Sequence, residues 1–154
     1  MGTAMRLANN PLLAPRHWRK IIEAGVALTA ASAATRLLPF NRYIHLGARP
    51  LTRARRPGDP EIALIVEAVG RRLPFRAVCL QQGLALQWLL RRRGVDAVLH
   101  YGIQLPTDGD ILAHVWVSVD GKVLLGAPQH AGFAEVARFP AQRDLAANDR
   151  PSPA

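Results

Sequence analysis

One cysteine, two lysines and an aromatic content of only 6% mark a chain of 154 residues. The lone thiol, Cys79, excludes an internal disulfide and a structural zinc site built on several thiolates, and it suits a reducing cytoplasm. Long apolar runs are also missing. The richest window, Ile21 to Phe40, holds Glu23 and Arg36 together with Thr29, Ser32 and Thr35, whereas a bilayer span needs about 20 predominantly apolar residues. The amino-terminal stretch MGTAMRLANNPLLAPRHWRK lacks the basic-then-apolar order of a secretory signal and is interrupted at Asn9, Asn10 and Pro11. Export is therefore not expected, nor is membrane association, and the window reads as a helix laid against the core or a membrane surface and not across a membrane. No internal repeat and no P-loop pattern is present.

Acidic residues are scarce as well, 11 against 20 basic ones, and 18 of the basic residues are arginine, for a net charge of +9. Such a balance suits an anionic partner or an acidic peptide. A nucleic-acid partner is not expected, because the basic stretches carry neither interleaved aromatics nor a recognition motif. What the chain does have is enough apolar material, 49% of its residues, for one domain with one core.

The hydrophobic periodicity predicts an α+β fold. An Ala-rich helix is expected from His17 to Leu38, stopped by Pro39. A basic stretch punctuated by proline and glycine follows it. Asp59-Pro60-Glu61 then has the composition of a helix start: a capping side chain, proline at the first helical position and an acid in the first turn. Ile62, Ile65, Val66, Val69 and Leu73 form the apolar stripe of that helix up to Pro74. A second strong helix is expected from Val78 to Arg93, with Arg91, Arg92 and Arg93 at its negative end and Gly94 as its stop. Its leucines surround much of its circumference, which makes it central. Three antiparallel strands should follow, Ala97 to Leu105, Leu112 to Val119 and Lys122 to Gly126, with turns at 106–109 and at Asp120-Gly121. The organisation is thus an amino-terminal helical arm and basic linker (1–58), a core (59–139) and a polar tail (140–154) expected to fray.

Cys79 falls in the first turn of the central helix, where unpaired N–H groups and the helix dipole favour a thiolate. A cysteine nucleophile needs a base. Of the five histidines, His17, His45, His100, His114 and His130, the best placed is His114, which shares one face of an alternating strand with Trp116 and Ser118 while Val115, Val117 and Val119 face the core. His100 reads as a satisfied or exposed strand residue and His130 as a loop residue. For the group that orients the base, Asp120 is excluded, because it lies six residues along the strand from His114, about 20 Å away at the usual rise. An unbroken hairpin would set Ala127 opposite His114. Gln129 or Asp110, with Asp108, are the remaining candidates. Gln81 or Gln82 can supply an oxyanion donor beside the Cys79 backbone N–H.

Taken together, RRLPFRAVCLQQGLALQWLLRRRGVDAVLHYGIQ and AHVWVSVDGKVLLG resemble the stand-alone leader peptidases of lasso-peptide biosynthesis, members of the transglutaminase-like cysteine protease superfamily. The likeness runs from about Arg71 to Phe139, with a looser one at RLLPFNR in the arm. It implies a transglutaminase-like or papain-like core in which Cys79 is the nucleophile and His114 the base, cutting the leader from a ribosomally made precursor peptide. It also implies a separate leader-recognition protein and an asparagine-synthetase-like cyclase as partners. ATP would be bound by that cyclase, and no cofactor by this chain. Where the family usually has an acid on the strand after the histidine, this sequence has Gly126 and Ala127.

Overall fold

The computed structural model describes residues 15–48, 57–75, 78–105, 109–127 and 131–140. A single 3-10 turn at Pro15–His17 leads into α1 (Trp18–Leu37), which stops at Leu38 in the extended conformation that the following Pro39 imposes. The short α2 (Phe40–Tyr43) comes next. In α3 (Pro60–Gly70) the expected start is built as read: Asp59 Oδ1 accepts the Glu61 N–H at 3.1 Å, with Pro60 at the first position. The helix ends at Gly70, four residues before Pro74, because the Arg71, Arg72 and Leu73 N–H groups close a final turn on Glu67 and Val69. α4 (Cys79–Arg92) is capped by Arg93 and followed by Gly94, whose φ of 80° is the left-handed stop predicted for it.

α4 is the centre of the molecule. It touches α1, α3 and two strands, and its Leu86, Leu89 and Leu90 are fully buried, each stabilising the fold by about 1.5–3 kcal/mol through burial alone. α1 packs on α3 and α4 through Ala24, Ala27, Leu28 and Ala31. Small side chains let the helices approach closely. Ion pairs fix the docking at both flanks, Lys20 with Asp59 and Glu61, and Glu23 with Arg93.

The sheet has four strands and not three. β1 (Ala97–Gln104), β2 (Leu112–Val119), β3 (Lys122–Leu125) and β4 (Ala134–Phe139) pair in the order β3-β2-β1-β4, all antiparallel. The additional strand, AEVARF, is mostly exposed and short, so its sequence carries little of the apolar alternation by which strands are recognised. The Asp120-Gly121 hairpin forms as expected, with Val119 opposite Lys122. A bulge between Val117 and Ser118 then shifts the register, so Val117 faces Leu125, and the unbroken pairing predicted for His114 with Ala127 does not occur. The expected turn at 106–108, the tail from residue 141 onward, and Gln129, Asp108 and His130 lie outside the described residues.

α4 crosses the sheet where a glycine permits it. A Cβ on Gly83 would stand 2.7 Å from Val115 Cγ1 and 3.3 Å from Leu99 Cδ1. Further along, Gln87 Nε2 donates to the carbonyls of Phe139 at 2.5 Å and Ala97 at 3.4 Å, and Arg91 pairs with Asp96 at 2.8 Å. α4 therefore runs antiparallel to β1 and parallel to β2.

Candidate active site

That direction decides where Cys79 comes to rest. It lies one helical turn before Gly83, and a turn of helix advances about as far as two residues of strand. The Cys79 end of α4 is thus carried over the end of β2 that holds His114. Cys79 is half-buried and packs against the core cluster. The start of the helix is held by Gln81, whose Oε1 accepts the Val78 N–H at 3.1 Å while its Nε2 donates to Thr35 Oγ1 of α1 at 3.2 Å. Gln81, read as a possible oxyanion donor, is engaged here in bracing the helix that presents the cysteine. Gln82 lies against Gly70 at the end of α3, with its Nε2 3.1 Å from where a Cβ there would stand.

His114 is half-buried near the start of β2, opposite Gly102 of β1. Val115 points to α4, and strand alternation sets His114 with Trp116 and Ser118 on the other side of the strand. The ring lies 6.3 Å from the Trp116 indole and 5.2 Å from Phe133, centre to centre. Among the described residues its one hydrogen bond is from Nε2 to the Gly126 carbonyl, at 3.3 Å. A carbonyl only accepts, so this bond places the proton on Nε2 and leaves Nδ1 with the lone pair that a base requires. Gly126 is there for a steric reason: its φ is 80°, and a Cβ would stand 2.9 Å from His114 Nε2. Asp110 is exposed in the loop before β2, with no hydrogen bond to His114. No hydrogen bond joins Cys79 Sγ to His114.

A second histidine, set aside on sequence grounds, is the centre of a polar cluster. His100 is buried, with Nδ1 2.9 Å from Glu135 Oε2 on β4 and Nε2 2.7 Å from Ser118 Oγ on β2. Arg138 Nε donates to the other Glu135 oxygen at 2.6 Å. Burial pushes the Glu135 carboxyl up, but the hydrogen bonds from Arg138 and His100 outweigh it and hold the group below the ordinary carboxylate range. The His100 ring stacks on Trp116 with centroids 5.3 Å apart and planes 3° from parallel. The spacings are those of a serine–histidine–acid triad, but Ser118 and His100 are both buried. The cluster ties β2, β1 and β4 together and fixes Trp116, which in turn flanks His114. The signal for it was present in the shared parity of His100 with its cross-strand partner Trp116; the missing piece was β4, which brings Glu135.

A half-buried cysteine opens the central helix above a histidine-bearing strand of a small antiparallel sheet, in a mixed α+β domain. The chain belongs to the transglutaminase-like superfamily, whose family model matches residues 24–138. That superfamily includes cysteine peptidases. No curated protein and no solved structure matches the chain. Among the described residues, no helix is long and apolar enough to cross a membrane, and no group of three or more histidine, cysteine, aspartate or glutamate side chains can hold a metal ion.

Proposed function

We propose that the chain is a cysteine peptidase that removes the leader from a ribosomally made lasso-peptide precursor and delivers the core peptide to an asparagine-synthetase-like cyclase, with a separate protein recognising the leader. The observation that carries the reading is the placement of Cys79 at the amino end of α4 over the His114 end of β2, in a superfamily that includes cysteine peptidases. His114 Nδ1 takes the thiol proton of Cys79 as Sγ attacks the carbonyl carbon of the leader–core amide, and the carbonyl electrons move to oxygen. The first-turn N–H groups of α4 face that oxyanion. On collapse the C–N bond breaks and His114 delivers its Nδ1 proton to the departing amine, leaving a thioester. Water, deprotonated by His114, then hydrolyses the thioester and regenerates the thiol. The Gly126 carbonyl takes the orienting role that an acid has elsewhere in the family; it fixes the tautomer but adds no negative charge to stabilise the imidazolium. Cys79 and His114 are not bonded to each other, and Val115, not His114, faces α4, so the mechanism requires the His114 ring to reach round the open end of β2 when substrate binds.

One observation favours a second reading. With Gly126 in place of the acid and no bond between Cys79 and His114, the same fold can serve as a non-catalytic adaptor that binds precursor or cyclase. Mass spectrometry of the precursor peptide incubated with the protein and its leader-binding partner separates the two. Release of leader by the wild type and not by Cys79→Ala is the result expected of the peptidase. Intact precursor in both, with binding retained, assigns the adaptor role instead.

A further inference from the structure

α1 is apolar on two sides, and among the described residues only one of them is packed against. Ala24, Ala27, Leu28 and Ala31 face the core, while Trp18, Ile22, Val26 and Leu37 are between 54% and 80% exposed. At about 100° per residue these four fall within an arc of about 100°. The rest of that exposed face is Thr29, Ala30, Ala33 and two cations, Arg19 near one end and Arg36 near the other. It carries no acid. The one acidic residue of α1, Glu23, is closed by Arg93. A helix that is apolar all round is normally covered all round.

We propose that this outer face of α1 docks the protein on an anionic phospholipid bilayer, the helix lying in the plane of the interface. Three features select that occupant. The face is a convex stripe about 30 Å long, which a fluid surface covers without a matching groove. Its charges are of one sign, on a chain of net charge +9, which complements acidic headgroups. Trp18 stands at its end, and an indole is at home at the headgroup level. The expectation of no membrane association came from the absence of a span, and an in-plane helix needs none. The inference stands apart from the peptidase reading and does not depend on it.

Co-sedimentation of the full chain with vesicles tests it, using phosphatidylcholine alone and a phosphatidylcholine–phosphatidylglycerol mixture at low and high salt. Binding is expected to the phosphatidylglycerol vesicles, weakened by salt. The triple variant Trp18→Ser/Ile22→Ser/Val26→Ser should lower it by more than about tenfold, and Arg19→Ser/Arg36→Ser by about thirtyfold, at the strength of one surface cation each. Circular dichroism checks that the variants keep the fold, as exposed positions should. No binding to the anionic vesicles, or binding that the triple variant leaves intact, overturns the proposal. So does a wild-type dimer in light scattering that the triple variant dissociates while vesicles capture neither, which would give the face to a second copy.

Discussion

His100 and His114 lie on neighbouring strands, on the same side of the sheet, one on each side of the Trp116 ring. His100 is buried, and both of its nitrogens are taken, by Glu135 and Ser118. His114 is half-buried and has one nitrogen bonded, to a backbone carbonyl. A base must have a free lone pair and a path to substrate. An imidazole satisfied on both sides is part of the framework, and one anchored on a single side keeps the free nitrogen that the proposed mechanism asks of it. The bulge at Val117/Ser118 contributes to that difference by bringing Gly126, and not a side chain, against His114.

The contrast can be broken at either ring. His114→Gln should lower leader release by about 10²–10⁴-fold, the usual worth of a general base, while the unfolding free energy moves by less than about 1 kcal/mol because one hydrogen bond is at stake. His100→Ala should do the reverse. Deserting Ser118 and Glu135 in a buried setting costs about 1–3 kcal/mol in urea denaturation, and cleavage under folding conditions should stay within about tenfold. Equal effects of the two substitutions on both readouts would erase the distinction. Gly126→Ala sharpens it: the left-handed backbone alone costs about 1–2 kcal/mol, and the added methyl must displace His114, so cleavage should fall more than stability does. Phe139→Leu at the far end of the same sheet, measured beside it, should cost stability without that excess loss of rate.

The smallest expected effect is on pH dependence. Glu135 is held below its ordinary range by the hydrogen bonds from Arg138 and His100, which overcome the opposing effect of burial. A lowered carboxyl favours the fold at pH above the unfolded value of about 4.3, and that contribution is lost as pH falls through the lower native value. Thermal unfolding of the wild type should therefore lose stability below about pH 4–5, and Glu135→Gln should flatten part of that slope. Parallel acid limbs for the two proteins would show that Glu135 contributes nothing to it.

Much of this was legible in the sequence, for definite reasons. The Asp59-Pro60-Glu61 start, the Gly94 stop and the Asp120-Gly121 hairpin are local backbone chemistry, and each is built as read. So is the alternation that separates Val115, Val117 and Val119 from His114, Trp116 and Ser118. What escaped was non-local. β4 has too little apolar alternation to announce itself, and without it the partners of His100 could not be named. The bulge that shifts β3 leaves no mark in the sequence of β2, so the Gly126 carbonyl was not weighed as the partner of His114. Gln81 was read for its amide near the nucleophile; its engagement with Thr35 required knowing that α1 packs beside the start of α4.

The most direct test of the Cys79–His114 pair is the rate at which iodoacetamide alkylates the protein at neutral pH, in the wild type and in His114→Gln. Cys79 is the chain's only thiol, so the signal has one source. A base acting on that thiol predicts a fall of about tenfold or more when the imidazole is removed. Equal rates in the two proteins would contradict the pairing, and with it the peptidase mechanism.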